Sequence, residues 1–118
     1  MKITRFRANA RGFTLVEIMI VVAIMGLLVT IAIPNYVKSR GNAQRQMCIE
    51  NLAQIEAAKQ MWGVETAKTT GDTPTDANLV GPALYLKEKP QCPAGPGYNY
   101  NPIGTNAECT SGIAGHTL

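Results

Sequence analysis

Apolar side chains are concentrated in one stretch of this chain and sparse elsewhere. From Phe13 to Ile33 the sequence reads FTLVEIMIVVAIMGLLVTIAI, with 17 apolar residues of 21 and a single charge at Glu17. As a helix this run is about 31 Å long, enough to cross the hydrocarbon core of a bilayer. Thirteen of its residues are Leu, Ile, Val or Phe, and together they favour insertion by about 4–8 kcal/mol. Glu17, close to the end of the run, opposes insertion by at most about 2.5–3.5 kcal/mol, so a transmembrane helix is expected over 13–34. Beyond Pro34 the pattern becomes a stripe. Cys48, Leu52, Ile55, Lys59 and Trp62 recur at spacings of four, three, four and three, one face of an amphipathic helix over 35–66. Gly41 and Gly63 are weak points within it. Trp62 is expected as a core anchor, and Lys59 either caps carbonyls of the following domain or lies at a solvated edge.

The periodicity ends near Lys68, where Thr-Thr-Gly-Asp-Thr-Pro marks a loop. Thr75 and Asp76 are placed to cap a short helix through Leu79, and Ala83–Leu86 to form another turn. Residues 81–118 hold six Gly and five Pro, a density that permits only turns and very short strands. The clearest strand is 97–101, returning through 107–110 as an antiparallel hairpin with Tyr98 and Tyr100 on one face. The expected fold class is α+β, a long N-terminal helix followed by a small head over 67–118. Only 12 of residues 34–118 are Val, Ile, Leu or Phe, too few to bury a sizeable core unaided. That argues against a self-contained soluble enzyme. No G-x-S-x-G and no phosphate-binding loop occurs, and the one histidine, His116, has no evident catalytic partner.

Charge is equally uneven. The net +3 arises from residues 1–12, where Lys2, Arg5, Arg7 and Arg11 stand without an acid; the remainder has 7 basic and 8 acidic residues. A basic arm directly before an apolar run reads as a targeting leader, and no nucleic acid is assigned as a partner. Four positive charges precede the run against Lys38, Arg40 and Arg45 after it, which biases the N-terminus to the cytoplasm. Cys48, Cys92 and Cys109 then fall on the opposite, oxidising side. Cleavage after the run is not expected, because Thr30-Ile31-Ala32-Ile33-Pro34 lacks the small residues a signal peptidase needs.

The junction Arg11-Gly12-Phe13-Thr14-Leu15-Val16-Glu17 resembles the cleavage site of type IV prepilins and type II secretion pseudopilins, and Gly26 and Pro34 extend the likeness. The resemblance covers residues 5–36 and implies a pilin-like fold. It further implies removal of residues 1–12 by a membrane prepilin peptidase cutting between Gly12 and Phe13, with N-methylation of Phe13. Glu17 is then expected to meet the N-terminal amine of a neighbouring subunit, since an ionisable group inside a membrane helix needs a partner and the segment offers none. Gly26 and Pro34 are expected helix weak points, and Pro34 reads equally as the start of the second helix. The implied product is a homo-oligomeric helical filament drawn from the inner membrane, with a platform protein and an assembly ATPase as further partners. A surface type IV pilus is favoured over a periplasmic pseudopilus because the head is small and lacks a calcium-type acidic loop. An anchored periplasmic binding module that never polymerises is the reading from another class.

Three cysteines leave one odd thiol. Cys92–Cys109 is the favoured disulfide, with Cys48 free in the helix–head contact; Cys48 bonded to either of the others is the rival. Metal binding by the three cysteines and His116 is discounted, because the 44 residues from Cys48 to Cys92 contain no C-x-x-C spacing. No cofactor is expected. Asp72, Asp76, Glu88 and Glu108 are too scattered for a calcium site to be assumed.

Overall fold

The structure, a computed structural model, describes residues 11–118. The chain divides into an N-terminal unit ending at Val37 and a second unit, Lys38–Leu118. One helix, α1 (Leu15–Glu65), is common to both, and it is followed by α2 (Asp76–Leu79), β1 (Tyr98–Asn99) and β2 (Glu108–Cys109). This is the α+β architecture expected.

In the N-terminal unit, α1 is apolar on every side, and none of its most apolar 18-residue stretch is buried. Among the described residues it is the one helix long and apolar enough to cross a membrane. Pro34 neither ends α1 nor starts a new helix, for the helix is continuous through it. Because proline has no N–H, the carbonyl of Thr30 one turn earlier loses its helical donor. The Thr30 hydroxyl is engaged elsewhere, donating to the Leu27 carbonyl at 2.7 Å. At Gly26 a β-carbon would meet nothing within 4 Å, so no contact among the described residues requires glycine there.

The second unit is built on the C-terminal half of α1. All five expected stripe residues, Cys48, Leu52, Ile55, Lys59 and Trp62, are buried, with Ala58 and Gly63 beside them. Ala67, at φ 50°, stops the helix, and the Lys68 N–H turns back to the Gly63 carbonyl at 2.9 Å. That closes the last turn as a Schellman cap. After the loop, Thr75 opens α2, its N–H donating to Asn78 Oδ1 at 3.0 Å. Leu79 from α2, Leu86, Tyr100 and Ala107 cover the stripe. Of the large aliphatic side chains among the described residues, only Leu52, Ile55 and Leu79 are wholly enclosed. Each contributes roughly 1.5–3 kcal/mol, little against an ordering entropy of about 1.5 kcal/mol per residue.

β1 and β2 form an antiparallel pair with Tyr98 opposite Cys109 and Asn99 opposite Glu108. The strand is shorter than 97–101 for a local reason. Asn101 enters the left-handed region at φ 53°, and the Tyr100 carbonyl leaves the ladder to accept from Lys59. Tyr100 is buried and its hydroxyl donates to Asp76 Oδ1; Tyr98 is half-buried and its hydroxyl accepts from Asn51 Nδ2 on α1 at 3.0 Å.

Lys59 is fully buried. Its ammonium donates to the carbonyls of Tyr100 (3.1 Å) and Thr105 (2.6 Å) and pairs with Glu56 Oε2 at 2.7 Å. Three donors thus meet three acceptors, and the capping alternative of the two sequence readings is the one realised. Burial would push the Glu56 carboxyl up, but the Lys59 ammonium, Gln60 and the Ala107 N–H together hold it below its ordinary 4.5.

Lys59→Ala is expected to destabilise the second unit by about 3 kcal/mol, because it strands two carbonyls and a partly buried carboxylate. Thermal melting of the detergent-solubilised chain measures it, and an unchanged melting temperature would contradict the clamp. A carboxyl depressed by folding contributes stability that is present above its unfolded pKa and lost as pH falls through the folded one. The melting temperature of the unsubstituted chain should therefore decline as pH drops below about 4.5, and less so in Glu56→Gln.

Candidate functional site

The N-terminal segment opens with Arg11–Thr14 outside helix, and α1 begins at Leu15. Thr14 is the residue that starts it. Its hydroxyl oxygen accepts the Glu17 N–H at 3.2 Å, while Glu17 Oε2 accepts the Thr14 N–H at 3.4 Å. This reciprocal pair is a capping box, which satisfies two of the four N–H groups a helix start leaves unbonded. It corrects the expectation that Glu17 finds no partner within its own segment. The T-x-x-E spacing from Thr14 to Glu17 is the sequence signal for this cap. One carboxylate oxygen serves the cap and leaves Oε1 without a protein partner among the described residues.

Gly12 and Phe13 precede the cap, both exposed, and a β-carbon on Gly12 would meet nothing within 4 Å. From Phe13 to Val37 every large apolar side chain is exposed. Such a surface demands cover, from lipid or from other helices of its kind. Lys2, Arg5 and Arg7 of the basic arm lie outside the described residues.

In the head, the fold brings together groups that the sequence separates. Cys48 Sγ lies 3.8 Å from Cys92 Sγ, and Cys92 Sγ lies 3.2 Å from Cys109 Sγ. All three are free thiols in the structure, and Cys92 and Cys109, the pair expected to join, are the nearer two. The hairpin brings Cys109 to Cys92, and α1 delivers the Cys48 sulfur to the same point. His116 arrives there too, and the donor atoms of all four residues lie within 4.8 Å of one another. Burial pushes the Cys48 thiol up to about 12. Burial acts in the same sense on Cys109, but the hydroxyl and N–H of Ser111 bring that thiol down to about 6.

Two close approaches fix this arrangement. A β-carbon at Gly95 would stand 2.7 Å from Ser111 Cα, so glycine lets the turn after Cys92 lie against the segment after Cys109. Gly115, at φ 85°, lies under the Arg45 guanidinium, whose Nε donates to its carbonyl at 2.9 Å. A side chain there would be strained and would meet Arg45 Cζ at 2.9 Å.

A membrane-length apolar helix, bare on its own chain, capped at Gly-Phe-x-x-x-Glu and followed by a small α+β head, defines a pilin-like subunit. Comparison with known proteins agrees. Residues 7–33 match the prokaryotic N-terminal methylation motif. The chain is similar to type II secretion system core protein G of Klebsiella michiganensis, 31% identical over 104 residues that cover 78% of this chain and 73% of that protein. Core protein G of Escherichia coli is 29% identical over 100 residues, covering 75% and 69%. The major type IV pilin PilA of Myxococcus xanthus is 43% identical over 60 residues, 51% of this chain but 27% of that pilin. No solved structure matches. The chain belongs to the type IV pilin and type II secretion pseudopilin family.

Gly115→Ala places a side chain in the left-handed region at a cost of about 1–2 kcal/mol and lifts the His116 turn from Arg45. The expected outcome is faster maleimide labelling of the three thiols in the folded chain, read by mass spectrometry. Labelling as slow as in the unsubstituted chain would show that Gly115 does not hold the cluster closed.

Proposed function

We propose that the chain is the precursor of a structural filament subunit, and that assembly rather than catalysis is its activity. The observation that carries this is the wholly exposed apolar half of α1, fronted by the Gly12-Phe13 junction and the Glu17 cap. Inserted in the inner membrane with the head on the periplasmic side, the precursor loses residues 1–12 to a prepilin peptidase and is N-methylated on Phe13. The mature helices then exchange lipid for one another, a transfer that keeps the apolar surface out of water throughout.

Glu17 sets the register of that exchange. The new amine at Phe13 is a cation at the start of every helix, and Glu17 Oε1 is the acceptor left over from its own cap. A neighbour's amine docked on Oε1 forms a charge-assisted hydrogen bond in a medium of low dielectric, where such bonds are strongest. Pro34 and Gly26 are the points at which α1 would yield to axial load, because one lacks a hydrogen bond and the other lacks side-chain support. A platform protein and an assembly ATPase complete the machinery by analogy with the family.

The small head favours a surface type IV pilus. A periplasmic pseudopilus is the second reading, favoured by the similarity to core protein G, which runs over 78% of the chain and so into the head. Filaments sheared from the cell surface and containing the chain would support the first. Retention in the envelope, with lost protein secretion on deletion, would support the second.

Mass measurement of the N-terminal peptide from native membranes is expected to find a chain beginning at Phe13 and one methyl group heavier than its sequence. A chain retaining residues 1–12 would overturn processing and leave an ordinary anchor. Glu17→Gln keeps an oxygen for the cap but removes the charge, and Glu17→Leu removes both. Both are expected to abolish or severely impair filaments, whereas normal filaments from the glutamine variant would refute the charge pairing.

A further inference from the structure

We propose that Cys48, Cys92, Cys109 and His116 form a closed structural zinc site that fastens α1 to the hairpin and to the C-terminal turn of the head. The inference stands apart from the filament reading, since it concerns the second unit alone.

Four observations support it. Zinc bound tetrahedrally with bonds of about 2.3 Å to sulfur holds its sulfurs about 3.8 Å apart. The sulfurs of Cys48 and Cys92 are 3.8 Å apart, those of Cys92 and Cys109 are 3.2 Å apart, and all four donors lie within 4.8 Å of one another. Second, a disulfide would use two of these groups and leave a third thiol and an imidazole with nothing to do; a metal uses all four. Third, His116 is buried and its Nδ1 has no hydrogen-bond partner among the described residues. A buried nitrogen without a partner calls for one.

Fourth, three of the four ligands are held by neighbours that are not themselves ligands, and Cys48 is held by the helix that carries it. Asn51, one turn after Cys48 on α1, donates to the Gln91 carbonyl beside Cys92 at 3.1 Å. Arg45, one turn before Cys48, grips the Gly115 carbonyl beside His116 at 2.9 Å. Cys109 is fixed by its strand pairing with Tyr98, and Ser111 Oγ lies 3.1 Å from its sulfur. Such outer contacts orient ligands before the metal arrives.

Three thiolates and an imidazole are a soft donor set suited to zinc, and four protein ligands leave no open position for substrate. The site is therefore structural. On binding, the three thiols release three protons to solvent and Zn²⁺ takes their place, leaving one net negative charge near the Arg45 guanidinium. No electron is transferred.

The test uses the full chain, extracted from membranes in mild detergent without reductant. Elemental analysis is expected to give one zinc per chain, falling to background in Cys48→Ser and in His116→Ala. Chelation is expected to lower the melting temperature of the unsubstituted chain. His116→Ala retains all three thiols, so its loss of zinc separates coordination from thiol oxidation. Should these variants fail to fold, cobalt exchange into the unsubstituted chain decides the matter: visible absorption of tetrahedral cobalt with thiolate charge-transfer bands is expected. Metal-free chain that is two hydrogens lighter than its reduced form, with a Cys92–Cys109 or Cys48 disulfide mapped by peptide mass, would overturn the proposal. Zinc retained by the folded His116→Ala and Cys48→Ser variants would overturn it as well, by marking the metal as surface-bound.

Discussion

The ammonium of Lys59 is the contact on which the head is organised. It rises from the buried face of α1 and meets the end of β1, the loop after it and the Glu56 carboxylate. An ion buried without partners would be far more costly than the apolar contacts around it are favourable. The chain can therefore close over Lys59 only with the carbonyls of Tyr100 and Thr105 turned inward. That requirement shortens β1, sends Asn101 into the left-handed region, and fixes where the hairpin sits along the helix. Apolar contacts tolerate sliding, whereas three hydrogen bonds to one nitrogen do not.

A directional clamp matters here because the core is thin. Three fully enclosed aliphatic side chains cannot hold so many glycines and prolines by area alone. The stripe on α1 is fastened at two places instead, Lys59 and, eleven residues earlier, Cys48, about 16 Å apart along the helix. At the first the fastening is an ammonium among oxygens; at the second it is a convergence of sulfur and imidazole. Both gather groups from α1 and from the C-terminal segment, so the helix carries the head even though β1 and β2 contribute two residues each.

The other half of α1 follows the opposite logic. Nothing among the described residues covers it, and its side chains are uniform enough to accept lipid or a like helix with similar ease. What gives it a direction is its first turn. Glu17 serves the cap with one oxygen and retains another, so the residue that completes the helix cap keeps a carboxylate oxygen to spare. One carboxylate near the end of an apolar run is tolerable for this reason, since its local hydrogen bond offsets part of the desolvation.

The sequence by itself determined everything that rests on local periodicity or on a short motif. The apolar run, the stripe from Cys48 to Trp62, the cap at Thr75, the hairpin and the Gly12-Phe13 junction are each written within a few residues, where helix and strand periods impose their own spacing. The capping box at Thr14 is equally local, carried by a T-x-x-E spacing. Tertiary structure decided the rest. That Lys59 is enclosed rather than solvated depends on two carbonyls more than forty residues away. That three thiols and His116 share one point depends on the turns at Gly95 and Gly115, whose close approaches no spacing rule encodes. Pro34 stays inside α1 because the turns on either side can carry one missing hydrogen bond. Pattern reveals which face of an element is buried; only the packed chain reveals which distant groups arrive at that face together.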